Sequence, residues 1–246
     1  MRLNFLPILL LVLIGILAGC QEGSSSNESK ETASAAEDRE AKDIKINEAP
    51  ENVTSPSDAA IHQYEVSFKN GEKAFPDTSS IITETTLGNH SIVAIRSPEG
   101  KNKYTVFLYE NKNEWIMNGF MRLGVAEENS FTGNGLNLPV KKFSSRNIEL
   151  ADKNQEAWAF VDEEKIITVA RFNQLSFEEN PETKIISLNN GNEAFISKDK
   201  FKNSFLYYLD SGKTVVVSGN VKEEELVELA NSLPSVVSPD FPSAKK

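Results

Sequence analysis

The side chains that carry most protein chemistry are scarce in this 246-residue sequence: two histidines, His62 and His90, and one cysteine, Cys20. A zinc site draws its ligands from closely spaced cysteines, histidines and carboxylates. Neither histidine has a second histidine or a cysteine at such a spacing, so no metal is expected. A serine nucleophile raised on a strand-to-helix turn is signalled by G-x-S-x-G, and that pattern does not occur. Carboxylates are plentiful. A wall-directed hydrolase needs two of them across a cleft, and Glu114 beside Trp115 could stand on one side of it. Asp162-Glu163-Glu164 and Glu127-Glu128 offer the oxygen ligands that calcium takes. The triplet reads more simply as a hairpin turn, and the pair as a solvated loop. Gly133-Asn134-Gly135 reads as a turn and not a phosphate loop, because no lysine follows at the required spacing. No catalytic residue, metal ligand or cofactor is assigned, and the ligand-binding residues stay open.

Cys20 has a different setting. Arg2 precedes a nearly unbroken apolar run from Leu6 to Ile14, which closes on Leu17-Ala18-Gly19-Cys20. The run is short of the roughly 20 apolar residues of a spanning helix and fits the core of a secretory signal. The closing quartet resembles the lipobox of bacterial lipoproteins, with Cys20 at the modified position. That resemblance implies a signal peptide at 1–19, cleavage before Cys20, and a diacylglyceryl group on its sulfur. Two acyl chains, of the palmitate kind, anchor stably where one does not, at about 0.8 kcal/mol per buried methylene. The expected location is the extracytoplasmic face of the cell membrane, reached through the lipid anchor. With the only cysteine lipidated, no internal disulfide can form, a habit that suits Gram-positive lipoproteins and is also compatible with a Gram-negative source.

Between Gln21 and Ala60 there is no aromatic residue, and ten acids face four bases. Low hydrophobicity with high charge cannot offset the entropy of ordering, so residues 20–60 are expected to be a lipidated N-terminus and a disordered acidic tether. Beyond it the chain remains acidic. An acidic domain is repelled by anionic surfaces and lacks the basic footprint that nucleic acid requires. No nucleic-acid partner is expected; a protein or cell-wall partner is compatible.

Residues 61–145 and 150–236 read as two β-rich halves, with a frayed tail at 237–246. Short runs such as His62–Lys69, Tyr104–Tyr109, Lys165–Phe172, Ser204–Leu209 and Lys213–Val217 combine β-branched and aromatic residues between turn signals. Asp210-Ser211-Gly212-Lys213 supplies a tight hairpin with a glycine available for positive φ. Trp115, Trp158, Phe107, Phe160 and Tyr207 fall at core positions of such strands. One helix is clear. Leu226, Leu229, Ala230 and Leu233 form an i, i+3, i+4, i+7 stripe, acids occupy its first turn, Asn220 is placed to cap it with Glu223 completing a reciprocal bond, and Pro234 stops it. The expected class is α+β: an antiparallel β-sheet packed by a C-terminal helix.

Two similarities bear on organisation. The strand-turn-strand-helix run from Leu188 to Val236 resembles the C-terminal part of an unknown-function domain family of membrane-anchored bacterial proteins. It departs from that family in having Tyr207 and Tyr208 where a tryptophan is usual. The resemblance implies the same local fold and supplies no reaction. Within the chain, Leu87 to Gly119 and Leu188 to Gly219 share an order of asparagine turns and aromatic strands at nearly equal spacing, as a duplication would produce. The expected function is a non-catalytic binding or envelope-interaction module. The alternative is a cell-wall hydrolase with paired carboxylates. Two facing carboxylates in one cleft, one with a raised pKa, would favour the hydrolase. A shallow polar surface, or an apolar pocket without such a pair, would favour binding.

Overall fold

The computed structural model describes residues 40–125, 135–140, 143–150, 155–177 and 181–243. Cys20, the signal segment and Glu127-Glu128 lie outside them. In chain order the elements are β1 (Ala41–Ile46), α1 (Pro56–Gln63), β2 (Tyr64–Phe68) and β3 (Lys73–Ala74), then β4 (Ile81–Leu87), β5 (His90–Arg96), β6 (Lys103–Asn111) and β7 (Trp115–Gly124). There follow β8 (Ser144–Glu149), β9 (Glu156–Val161), β10 (Ile166–Asn173), β11 (Lys184–Ser187), β12 (Glu193–Lys198), β13 (Ser204–Asp210), β14 (Lys213–Gly219) and α2 (Glu223–Ser232). Among the described residues the strands form three antiparallel sheets: β1-β2-β3, β4-β5-β6-β7, and β11-β12-β13-β14-β10-β9-β8. The fold is α+β, with antiparallel sheet packed by the C-terminal helix.

Parity along each strand decides which layer a side chain enters. Ile92, Ala94, Tyr104, Val106 and Leu108 of the four-stranded sheet meet Ala157, Ala159, Phe172, Tyr207 and Val216 of the seven-stranded sheet. Their neighbours of opposite parity, Val93, Ile95, Phe107 and Tyr109, meet Ala59, Ala60, Tyr64 and Val66 of α1 and β2. On the far side Leu206, Tyr208, Val215 and Val217 take the stripe of α2, Leu226, Leu229, Ala230 and Leu233. Both faces of the central strands are therefore buried, which is why Tyr104–Tyr109 and Thr214–Ser218 read as continuous apolar runs.

The sandwich is closed along β7 and β8. The Arg146 guanidinium donates to the Arg122 carbonyl at 3.0 Å, and a Cβ on Gly119 would come within 2.7 Å of Ile148 Cδ1. At the opposite edge β4 lies against β14. β13 still packs Phe205 and Tyr207 into the core shared with the smaller sheet, and β12 and β11 extend beyond it.

Several expectations are corrected. The acidic stretch is ordered from Ala41 onward: β1 pairs with β2 over Ala41–Ile46, and α1 begins at Pro56. Its N-cap is Ser55, whose Oγ accepts from the Asp58 amide at 3.2 Å, with Pro56 at the first helical position. His62 lies in α1 and not at the head of a strand, and β2 starts two residues later. The boundary between halves falls before β8, which belongs to the seven-stranded sheet. The tail is held as far as Ser243: Phe241 is buried edge-on against Trp158, and Arg171 lies over both rings. Asn220 does not cap α2. Its side chain accepts from the Ile166 amide at 2.7 Å and donates to the Glu164 carbonyl, while the Lys222 amide donates to Glu225 at the helix start. The internally similar segments do occupy matching places, as the meanders β4–β7 and β11–β14.

Candidate functional site

Among the described residues the inner face of β11–β13 is only partly covered: Phe205 and Tyr207 are buried in the shared core, whereas Ile185 and Leu209 are not. Cross-strand register builds it row by row, since directly opposed residues share a face. Ile185 opposes Phe195, and Phe195 opposes Tyr207. Ser197 opposes Phe205 in the next row, and Leu209 lies two residues beyond Tyr207. The Phe195 and Tyr207 rings stack at 5.2 Å, 16° apart, and Phe177 stands edge-on to Tyr207 at 4.8 Å. Ile185 is 61% and Leu209 47% exposed. The ends of this row are therefore exposed apolar surface, of the kind that marks a contact site, while its middle is buried.

At one end of the row a cleft of about 720 Å3 opens between the β4–β5 turn, the segment from Ser176, and the β12–β13 turn. Leu87, Phe177, Phe205 and Tyr207 make its floor, and Thr86, Ser176, Ser197, Lys198 and Lys200 are on its rim. Gly88 stands at its mouth with φ of +59°, where a Cβ would lie 2.5 Å from the Ser176 carbonyl oxygen. Only glycine permits both that conformation and that approach.

Two carboxylates, Glu84 and Asp199, line the same cleft. Burial pushes the Asp199 carboxyl above the ordinary aspartate range, against the hydrogen bonds that lower it. That pairing meets the criterion set for a hydrolase, so the lone pairs of both groups decide the matter. Asp199 Oδ1 accepts from the Phe201 amide at 2.9 Å and the Asn203 amide at 2.7 Å. Its Oδ2 accepts from the Glu84 amide at 3.2 Å and Asn203 Nδ2 at 3.3 Å. A carboxylate offers about four acceptor positions, and all are taken. Glu84 Oε2 accepts from the Ser57 amide at 3.0 Å and from Lys200 Nζ at 3.2 Å. Lys200 Nζ also donates to Ser55 Oγ at 2.9 Å and Ser57 Oγ at 2.8 Å. The cluster ties the start of α1, the strand β4 and the β12–β13 turn together. A lysine beside a serine can activate it as a nucleophile, but this ammonium is paired with Glu84, and Ser57 is buried away from any substrate.

The other candidates are dispersed. Glu114 is exposed in the β6–β7 turn. Asp162 organises the β9–β10 turn, its Oδ1 accepting from the Glu164 and Lys165 amides at 2.9 and 2.7 Å. His62 is exposed on α1, whereas His90 is buried against Phe172 with its rings 4.9 Å apart. Phe107, Phe160, Trp158 and Tyr207 are buried, and Trp115 is half-buried. Among the described residues no three histidine, cysteine, aspartate or glutamate side chains are placed to hold a metal ion. Glu84, Asp199 and Lys200 escaped the sequence reading because Glu84 is far in sequence from the adjacent pair Asp199-Lys200. They meet across a separation of 115 residues, and no local spacing records that. No known family model matches the chain, and no curated protein matches it, so function must be read from the site.

Proposed function

We propose that this protein is an extracytoplasmic lipoprotein, anchored through lipid on Cys20, that serves as a non-catalytic binding module of the cell envelope. The cleft and the aromatic row beside it are the binding site. One observation carries this: all four acceptor positions of Asp199, the Lys200 ammonium and Glu84 Oε2 are engaged in the protein's own hydrogen bonds, while Ile185 and Leu209 of the apolar row stand exposed. Chemistry needs available polar groups, and binding of an apolar surface needs an uncovered one.

The binding reading is tested in cells with a photo-crosslinking residue at Phe177. A defined adduct that is lost with Phe195→Asp supports it; no adduct at Phe177, with one formed at a remote surface position, sinks it. The anchor is tested by labelling with radioactive palmitate. Cys20→Ala should abolish the label and leave unprocessed precursor, and normal labelling of that variant would refute the anchor. The hydrolase remains a second reading, because Glu84 and Asp199 share a cleft and burial raises the Asp199 pKa. It requires wall-degrading activity that Glu84→Gln removes without unfolding the protein.

A further inference from the structure

The charged side chains that line the cleft are turned away from its floor or already engaged. Glu84 opposes Val93 of β5, a residue that packs against α1, and its carboxylate meets the Ser57 amide and Lys200 on that outer side. Lys198 opposes Ser204 and donates to its Oγ at 2.6 Å. That bond lies on the face of Leu206, which packs under α2. Asp199 is saturated by amides. An ionic ligand on the floor would lose its water without gaining a counter-charge, which is costly.

The inner face carries hydroxyls instead. Ser197 opposes Phe205, and the register of Lys184 against Ile196 brings Thr183 alongside Ser197. Thr183 Oγ1 is buried and has no hydrogen-bond partner among the described residues. Nearly all buried polar atoms have one, so an unpaired hydroxyl beside a cleft calls for an explanation. As a residue Thr183 is only half-buried, and it lines the cleft; rotation about χ1 exchanges its methyl for the hydroxyl there. Rings adjoin this pair. Phe205 and Tyr207 lie 5.9 Å apart and 25° from parallel on the floor, and the half-buried Phe177 stands at its side. The face of an aromatic ring is electron-rich and accepts weak hydrogen bonds.

Resting on the reading of the cleft as a binding site, we infer that its ligand is a neutral saccharide. A sugar ring presents hydroxyls at its edge and C–H groups on its faces, and it carries no charge. Its edge bonds Thr183 and Ser197, and a C–H face lies on Phe177. The volume of about 720 Å3 falls in the range of small-ligand sites.

The test uses calorimetry on the processed chain carrying Cys20→Ser. Cellobiose, lactose, maltose and N-acetylated chitobiose are the neutral probes. Each is compared with its counterpart oxidised to a uronic acid, and cyclohexanol serves as a ring without the hydroxyl edge. At least one neutral disaccharide should bind with micromolar to millimolar Kd, its uronic acid more weakly, and cyclohexanol should be silent. Thr183→Val keeps the shape and removes the hydroxyl. It should weaken binding about fivefold to tenfold, the value of one hydrogen bond, and leave Tm unchanged or higher, because an unpaired buried hydroxyl is gone. Phe177→Ser should weaken binding by tenfold or more, on the order of the loss of the ring contact. Ile116→Asp, on an exposed residue of β7, should leave it unchanged.

A uronic acid that binds as tightly as the neutral sugar overturns the inference. So does a Thr183→Val variant that keeps full affinity. Silence of every disaccharide overturns it as well: a Phe177 adduct in cells would then leave the cleft as a binding site for another ligand, and no adduct would overturn the binding reading itself.

Discussion

Leu229 tests whether α2 is part of the core or an appendage. Its side chain is fully buried, in a cluster with Leu206, Tyr208, Val215, Val217, Leu226 and Leu233. Leu229→Ala removes three carbons, which at about 0.8 kcal/mol each forfeits about 2.4 kcal/mol of transfer energy. The sheet beneath is fixed by its hydrogen-bonded neighbours and collapses only partly, so the residual cavity brings the total to about 3–5 kcal/mol. A folded unit of this size loses roughly 2–4 °C in Tm per kcal/mol. The expected fall is therefore about 6–20 °C by thermal denaturation. Glu224→Ala provides the comparison on the same helix. Glu224 is exposed in the first turn, where it acts mainly through the helix dipole, and its loss should move Tm by no more than about 4 °C. Small and equal shifts from the two variants would mean that α2 does not stabilise the sheet, and would refute the packing argument.

Three further outcomes follow from the geometry. A chain beginning at Ile61 lacks β1 and the buried Ala59 and Ala60 of α1; it should melt about 10 °C or more below one beginning at Glu40, and equal melting points would show that the first 21 of those residues do not pack. Lys200→Met leaves Glu84, whose side chain is 8% exposed, without its ion pair. It should cost about 1–3 kcal/mol in urea denaturation, and the Lys200→Met, Glu84→Gln double variant should recover part of that; strict additivity would deny the coupling. Burial holds the His90 imidazole below its ordinary value, with Glu110 opposing. A folded-state pKa that is depressed means the stabilisation is present above about pH 6.5 and is lost as pH falls through the depressed value. Tm should therefore decline below pH 6.5, with a shallower decline in His90→Gln, and an unchanged slope in that variant would assign the decline to other groups.

The sequence by itself determined the elements whose signals are local and strong. Alternating and continuous β-branched runs, tight polar turns such as Ser211-Gly212, and the leucine stripe of α2 each state their structure within about ten residues. The antiparallel class and the place of the C-terminal helix follow from them. The order of the two similar meanders was also legible, because the turns that separate their strands recur at nearly equal spacing.

Tertiary structure decided the rest. Ser55-Pro56-Ser57-Asp58 carries a helix-start signal, yet α1 has little apolar surface of its own. Its two alanines become core only because β5 and β2 provide the other wall. β1 is an edge strand with charged residues facing out, so its composition resembles a tether until β2 supplies the pairing. Asn220, an apparent helix cap, was drawn instead to the amide and carbonyl that the β9–β10 turn left unsatisfied. The cleft had no local signature at all. It exists because a seven-stranded sheet outreaches a four-stranded one, and strand count is set by long-range pairing between segments that carry no record of each other in sequence.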